Sequence, residues 1–246
     1  MNALQAFSGR NTKEILRDPL NLAFGLGFPV ILLLLLTAIQ SNIPVDLFQL
    51  ERLTPGIAIF GLSFVSLFSA TLISKDRTTS FLMRLFASPM RASDYILGYT
   101  LPLLPMAAAQ VVLCFAVAGL LGMQLTASVV LAILVTLPAA ALFIGIGLLC
   151  GSALNDKQVG GICGALLTNV SAWLSGTWFD LDLVGGVFKK IAYALPFAHA
   201  VDAGRAAMSG DYAAIMPHLW WVIGYALVAL AAAVVVFRAK MRRDNA

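Results

Sequence analysis

Residues 75–95 read KDRTTSFLMRLFASPMRASDY, a basic island between two long apolar runs. The island holds four of the sixteen Lys and Arg residues of the chain, so charge is concentrated where the hydrophobicity breaks. At 100° per residue, Phe81, Leu82, Leu85 and Phe86 share one side of a helix, and Arg77, Ser80 and Arg84 share the other. Thr78 or Thr79 can start that helix, because a Thr hydroxyl accepts a bond from a free N–H of the first turn. Pro89 ends it, since proline has no N–H and disfavours helix at Ser88. Ser93 can cap the next helix. The stretch predicts a short amphipathic helix held at the membrane face between two spans. The same residues also fit a solvated basic loop that only fixes topology, because positive loops are expected at such places.

Working outward, the chain of 246 residues is 60% hydrophobic and 11% charged, with a mean hydropathy of +0.91. Soluble domains carry about 25% charged residues, so lipid is the solvent of this chain. The net charge of +4 and pI near 9.1 point to anionic headgroups at a cytoplasmic face more than to nucleic acid. Cys114, Cys150 and Cys163 lie in or beside apolar runs without metal-like spacing and read as inert core thiols. The lead-in to Pro19 is long, and the apolar run after it exceeds a signal-peptide core, so a retained first span is expected.

The expected fold is all-α and polytopic, one transmembrane domain over residues 1–246. Residues 2–17 predict an interfacial helix with Leu4, Phe7 and Ile15 on one side and Arg10, Lys13 and Arg17 on another. Asn11 interrupts the apolar side, and Pro19 suits the start of a new helix. Six runs, 20–39, 54–74, 96–121, 127–149, 159–177 and 218–237, are long enough to cross about 30 Å of hydrocarbon. Pro29, Pro102, Pro105 and Pro138 fall within or near their ends, where membrane helices tolerate them. With six spans, twelve Lys and Arg fall on one side and only Arg52, Lys189, Lys190 and Arg205 on the other. That asymmetry puts both termini in the cytoplasm. Gly147 with Gly151, and Gly160 with Gly164, fit close helix packing within the chain.

The outer segment 178–217 is apolar but broken by Gly185, Gly186, Pro196 and Gly210. Its pieces 183–195 and 197–208 are too short to span, and predict two short re-entrant helices with Pro196 between them. Asp202 and Arg205 stand at i, i+3 and can form a minor ion pair.

None of the six runs contains Asp, Glu, Lys or Arg. Ion-coupled carriers place such groups at membrane depth, although backbone carbonyls can still hold sodium. There is no Gly-rich phosphate loop followed by Lys-Ser or Lys-Thr, no HExxH and no CxxC. Ser63, Ser66 and Ser69 have no buried His or Lys beside them to activate a hydroxyl. His199 with Asp202 is the one candidate acid–base pair, and a capped loop histidine is its plainer reading; His218 reads as interfacial. What remains is a passive bundle whose energy must come from a partner.

These parts together resemble the membrane subunit of an ABC transporter, in the type-2 permease class of bacterial drug, lipid and polysaccharide exporters. The resemblance rests on the amphipathic start, Arg17-Asp18-Pro19, the six runs, LMRLFASPMRASDYILG, and the outer segment SGTWFDLDL…IAYALPFAHAVDAGR. Asp180 departs from it, since a Pro is expected after the aromatic. The resemblance implies a bacterial inner-membrane exporter in which two permease copies pair, as a homodimer or with a related chain, and bind two ATPase subunits. ATP and Mg would sit in the partner, leaving this chain without catalytic, cofactor or metal sites. It implies ATPase coupling through Arg77, Thr78, Phe81, Leu82, Arg84, Leu85 and Phe86, and an outer gate at Trp178, Phe179, Pro196 and Arg205. The few polar handles in the runs, such as Gln110 and Asn169, lean toward a hydrophobic or amphipathic cargo. An ion-coupled secondary transporter and a non-transport membrane scaffold are the competing classes.

Overall fold

The computed structural model describes residues 3–44, 48–79 and 90–244, and every regular element among them is helical. Helix α1 (Ala3–Leu16) precedes α2 (Pro19–Gln40), whose Ala23–Gly27 segment is wound as a π-helix. Three long helices come next: α3 (Leu50–Thr78), α4 (Ala92–Leu120) and α5 (Ala127–Ala153). Helix α6 covers residues 156–174 and is π-wound at Gly160–Leu167. Three short helices, α7 (Leu181–Val184), α8 (Gly186–Ala194) and α9 (Pro196–Ser209), lead to α10 (Tyr212–Asp244).

Five of these helices are long and apolar enough to cross a membrane, which makes the chain a multi-pass membrane protein: α2, α3, α4, α5 and the Tyr212–Met241 part of α10. The sixth expected run, 159–177, ends as a helix at Leu174 and falls outside that group. Gly160, Gly161, Gly164, Thr168 and Asn169 dilute its apolarity. It still runs beside α3 along its length. Ser74 Oγ donates to Asp156 Oδ1 at 3.0 Å at one end, and Thr177 Oγ1 donates to the Gly56 carbonyl at 3.3 Å at the other. Those α3 residues are separated by about 27 Å at 1.5 Å per residue.

Helix α3 is the central pillar. Its most apolar window is 78% buried, against 17% for α2 and 22% for α10, which therefore lie at the periphery. Ser63, Ser66 and Ser69 on α3 are buried, and Ser63 and Ser69 satisfy their hydroxyls on the preceding turn, at Phe60 O and Ser66 O. Small residues here let α5 come close. A Cβ at Gly147 would collide with Ser69 and the Ser66 carbonyl, and one at Gly151 with Ile73 and the Ala70 carbonyl. The expected close packing holds for this pair. It does not hold for the other: Gly160 has nothing within 4 Å, and Gly164 meets only Leu67 at ordinary contact distance. Gln110, buried in α4, donates to Ala58 O at 3.3 Å, which ties α4 to the same pillar.

The two short helices predicted in the outer segment are α8 and α9, with Pro196 at the first position of α9. Pro196 brings a φ already suited to a helix start. Tyr225 Oη donates to the Ala194 carbonyl at 2.7 Å. Tyr225 lies about 20 Å into α10 from Tyr212. The joint between α8 and α9 is therefore sunk deep beside α10, while Gly210 (φ +78°) turns the chain back at the surface.

Candidate functional site

At one end of the bundle, α1 is fastened by a polar joint. Arg10 donates to Asp76 through two nitrogens, at 2.5 and 2.8 Å, and Tyr99 Oη donates to Asp76 Oδ2 at 2.9 Å. Asp76 and Tyr99 are buried, at 4% and 0% exposed, while the Arg10 side chain stays 32% exposed. Asn11, which interrupts the apolar side of α1 in sequence, is fully buried and donates to the Gly98 carbonyl at 3.1 Å. Phe7 packs edge-on against Tyr95 and Tyr99, with centroids 5.8 and 5.0 Å away. Gly98 has no room for a Cβ, because Phe7 occupies it. The amphipathic reading grouped Arg10 with Lys13 and Arg17 on the basic side; in the structure its guanidinium reaches the buried Asp76.

The candidate coupling residues divide. Phe81, Leu82, Arg84, Leu85 and Phe86 lie outside the described residues, as does Pro89. Arg77 and Thr78 are the last two residues of α3 and do not begin a separate helix. Thr79 is extended and closes α3, its hydroxyl donating to Asp76 O at 3.0 Å. The Arg77 guanidinium donates to the carbonyls of Gly151, Ser152 and Leu154 at 2.9, 2.7 and 3.1 Å. These are the unsatisfied acceptors of a helix C-terminus, and a cation there also complements the helix dipole. The cap expected from Ser93 is made instead by Asp94, whose Oδ2 accepts from Arg91 N at 2.8 Å. Phe237 of α10 reaches the same end, 5.5 Å from Tyr95. Arg10, Lys13, Arg17, Lys75, Arg77, Arg91 and Lys157 thus share one end of the bundle with the C-terminal part of α10.

At the opposite end, a turn at 175–180 gathers most of the candidate gate. Gly176 takes φ +71°, a conformation that glycine adopts without strain. Arg205 donates to its carbonyl at 2.8 Å, to Arg52 O at 3.1 Å, and stands 3.9 Å from Asp202. Burial lowers the pKa of Arg205, against the pull of Asp202. A guanidinium stays charged regardless. Trp178 stacks edge-on against Phe60 at 5.4 Å, and Phe179 lies between Trp173 and Phe188. Pro196 is not part of this group; it lies at the sunk end of α9. Asp180, the departure noted in sequence, has work of its own. It caps α7 by accepting from Asp182 N at 3.0 Å, and it pairs with Arg52 at 2.7 Å. The Asp182 backbone bond and then the Arg52 bond hold its carboxyl below the usual range.

His199 is neither an acid–base partner of Asp202 nor a loop residue. It is buried in α9, and Asp202 instead accepts from Tyr193 Oη at 2.7 Å. His199 Nε2 is 3.0 Å from the Tyr193 carbonyl, which only accepts, so Nε2 carries the proton. His199 Nδ1 then accepts from His218 Nδ1–H at 2.8 Å. The ring also stacks on Trp221 at 5.0 Å. Burial lowers the pKa of His199. This pair ties α9 to α10; the one sequence sign of it was two histidines in a chain that has only two.

A family model described as ABC-2 type transporter matches residues 2–209, from the start of α1 to the end of α9. No curated protein matches the chain.

Proposed function

The chain belongs to the ABC-2 type transporter family, and from that premise we propose that it is the membrane subunit of an ATP-driven exporter, coupled to a separate ATPase subunit. The observation that carries this reading is the joint at the basic end. Residues 80–89 connect the end of α3 to the start of α4 there. Asp76 and Arg77, next to that connection, bind α1, α4 and α5. A force applied to 80–89 by a partner would pass directly into four helices. The clustering of cations at this end supports a cytoplasmic orientation for it. Helix α6 parallels α3 from end to end, which supports a sixth crossing and cytoplasmic termini. Its outward side exposes Gly160, Gly161 and Asn169. Ile162, Leu166 and Trp173 are exposed on the same helix, and this mixed surface suits a path, for a hydrophobic or amphipathic cargo, covered by a second copy of the chain. The sunk α8–α9 pair, with Trp178, Phe179 and Arg205 beside it, would form the outer gate.

The test is the double variant Leu82→Asp, Phe86→Asp, assayed with the ATPase subunit in proteoliposomes. Insertion should persist, while copurification of the ATPase and permease-stimulated ATP hydrolysis should be lost. Full stimulation in the variant would overturn the coupling role.

A further inference from the structure

Between the end of α1, the start of α2, α3 and α4 lies a cleft of about 360 Å³ at the basic end of the bundle. Its rim is ionic, with Glu14 from α1, Arg17 just past its end and Lys75 from α3. Its floor is apolar, with Phe68, Leu72 and Met106. Lys75 and Phe68 are seven positions apart on α3, so the change from charge to hydrocarbon takes about 10 Å. The floor is closed by α2 at Gly25, where a Cβ would press on Phe68 and Met106 at 2.6 and 2.9 Å. Asp18 is already engaged, accepting from Asn21 N and Nδ2 at 3.0 and 2.6 Å. Asp76 is engaged by Arg10 and Tyr99.

We infer that this cleft holds one phospholipid with a zwitterionic, primary-amine head group. Charge complementarity selects it. Arg17 and Lys75 offer donors to a phosphate, and Arg gives phosphate a planar fork of N–H groups. Glu14 beside them meets Arg10 at 3.5 Å through one oxygen and is more than half exposed, so its carboxylate disfavours a purely anionic head and can still accept from an ammonium. A trimethylated amine has no N–H for that bond. The apolar floor takes the upper part of an acyl chain, a fit in depth and polarity that a water-soluble phosphate would not use. The site rests on the proposed cytoplasmic face only for which leaflet supplies the lipid, and it does not depend on an ATPase partner.

Native mass spectrometry of the purified full-length chain, titrated separately with phosphatidylethanolamine, phosphatidylcholine and phosphatidylglycerol, tests it without leaflets or partner. One phosphatidylethanolamine should be retained most tightly. Arg17→Gln with Lys75→Gln should weaken that retention about tenfold, the loss expected for a charge-assisted contact. Met106→Trp, which fills the floor, should remove it. Arg17 and Lys75 are exposed, and melting of the double variant beside the parent separates a loss of binding from a loss of folding. Equal or tighter retention of either other lipid would overturn the head-group assignment. Unchanged phosphatidylethanolamine binding in the double variant would overturn the site, and binding of inorganic phosphate in place of lipid would overturn the role of the floor.

Discussion

Replacing Asp76 by Asn keeps the side chain's size but removes the charge that Arg10 meets at 2.5 Å. The remaining Arg10 is a third exposed and keeps Glu14 at 3.5 Å, so the loss falls below that of a fully buried pair, at about 1–2 kcal/mol. The expected result is a lower melting temperature and faster amide exchange over Ala3–Leu16, read by hydrogen-exchange mass spectrometry; exchange confined to its native level would show that Phe7 and Asn11 suffice to hold α1. Arg77→Ala acts on the other side of the same joint. It strips three carbonyls at the C-terminal end of α5, those of Gly151, Ser152 and the capping Leu154, of one charged donor, for a loss of about 1.5–3 kcal/mol. Arg77→Lys should recover part of it, since a lysine is a point donor without the fork. Sequence reading placed Arg77 in the family's coupling set from its neighbours alone. It had no access to the 74 residues of chain that separate Arg77 from Gly151, its partner in space. Asp76 escaped notice for the same reason: at the edge of an apolar run, a carboxylate looks solvated until its partners are known.

At the scale of elements, the α9–α10 contact is expected to depend on pH. His199 is held with a lowered pKa because burial penalises its charged form. Neutral His199 favours the folded contact, so this stabilisation is present above the ordinary histidine pKa of about 6.5 and falls as pH drops below it. A proton on His199 Nδ1 would remove the acceptor that the His218 Nδ1–H meets across 2.8 Å. Asp202 and the Tyr193 carbonyl face the pair from α9 and α8, Trp221 from α10, and Lys189 of α8 reaches the Tyr193 ring. Amide exchange over Pro196–Ser209 should rise at pH 5 relative to pH 7.5, and His218→Phe should flatten that dependence. An unchanged pH profile in the variant would remove the pair from the explanation. The existence of α8 and α9, and the break at Pro196, were legible because proline and glycine punctuate short apolar pieces. The depth of their joint was not, since it is set by Tyr225, thirty-one residues away from Ala194.

For the whole molecule, the apolar runs located the long helices, because lipid demands both length and hydrophobicity; 20–39 matches Pro19–Gln40 closely, while 218–237 falls well short of Tyr212–Asp244 at both ends. The run at 159–177 stands apart from the other five, as its glycines and polar residues lower its apolarity. The core also depends on how closely α3 and α5 approach. Gly147→Leu should collide with backbone at Ser66, and overpacking of this kind typically costs about 1–3 kcal/mol or more. The equivalent change at Gly160, which meets open space, should leave detergent-solubilised melting unchanged. A comparable loss in both variants would contradict the packing described. The eight-residue π-wound segment of α6 has a separate bearing on how this molecule tolerates change. Such wider winding absorbs a surplus residue without altering the phase of the helix beyond it. Deleting Gly161 should therefore straighten the turn and leave Asn169 facing as it does now. Deleting Ala141 from the regular α5 should instead swing everything beyond it by about 100° and scramble its contacts. Expression and monodispersity of the two deletions would tell a helix with slack from one wound to its limit.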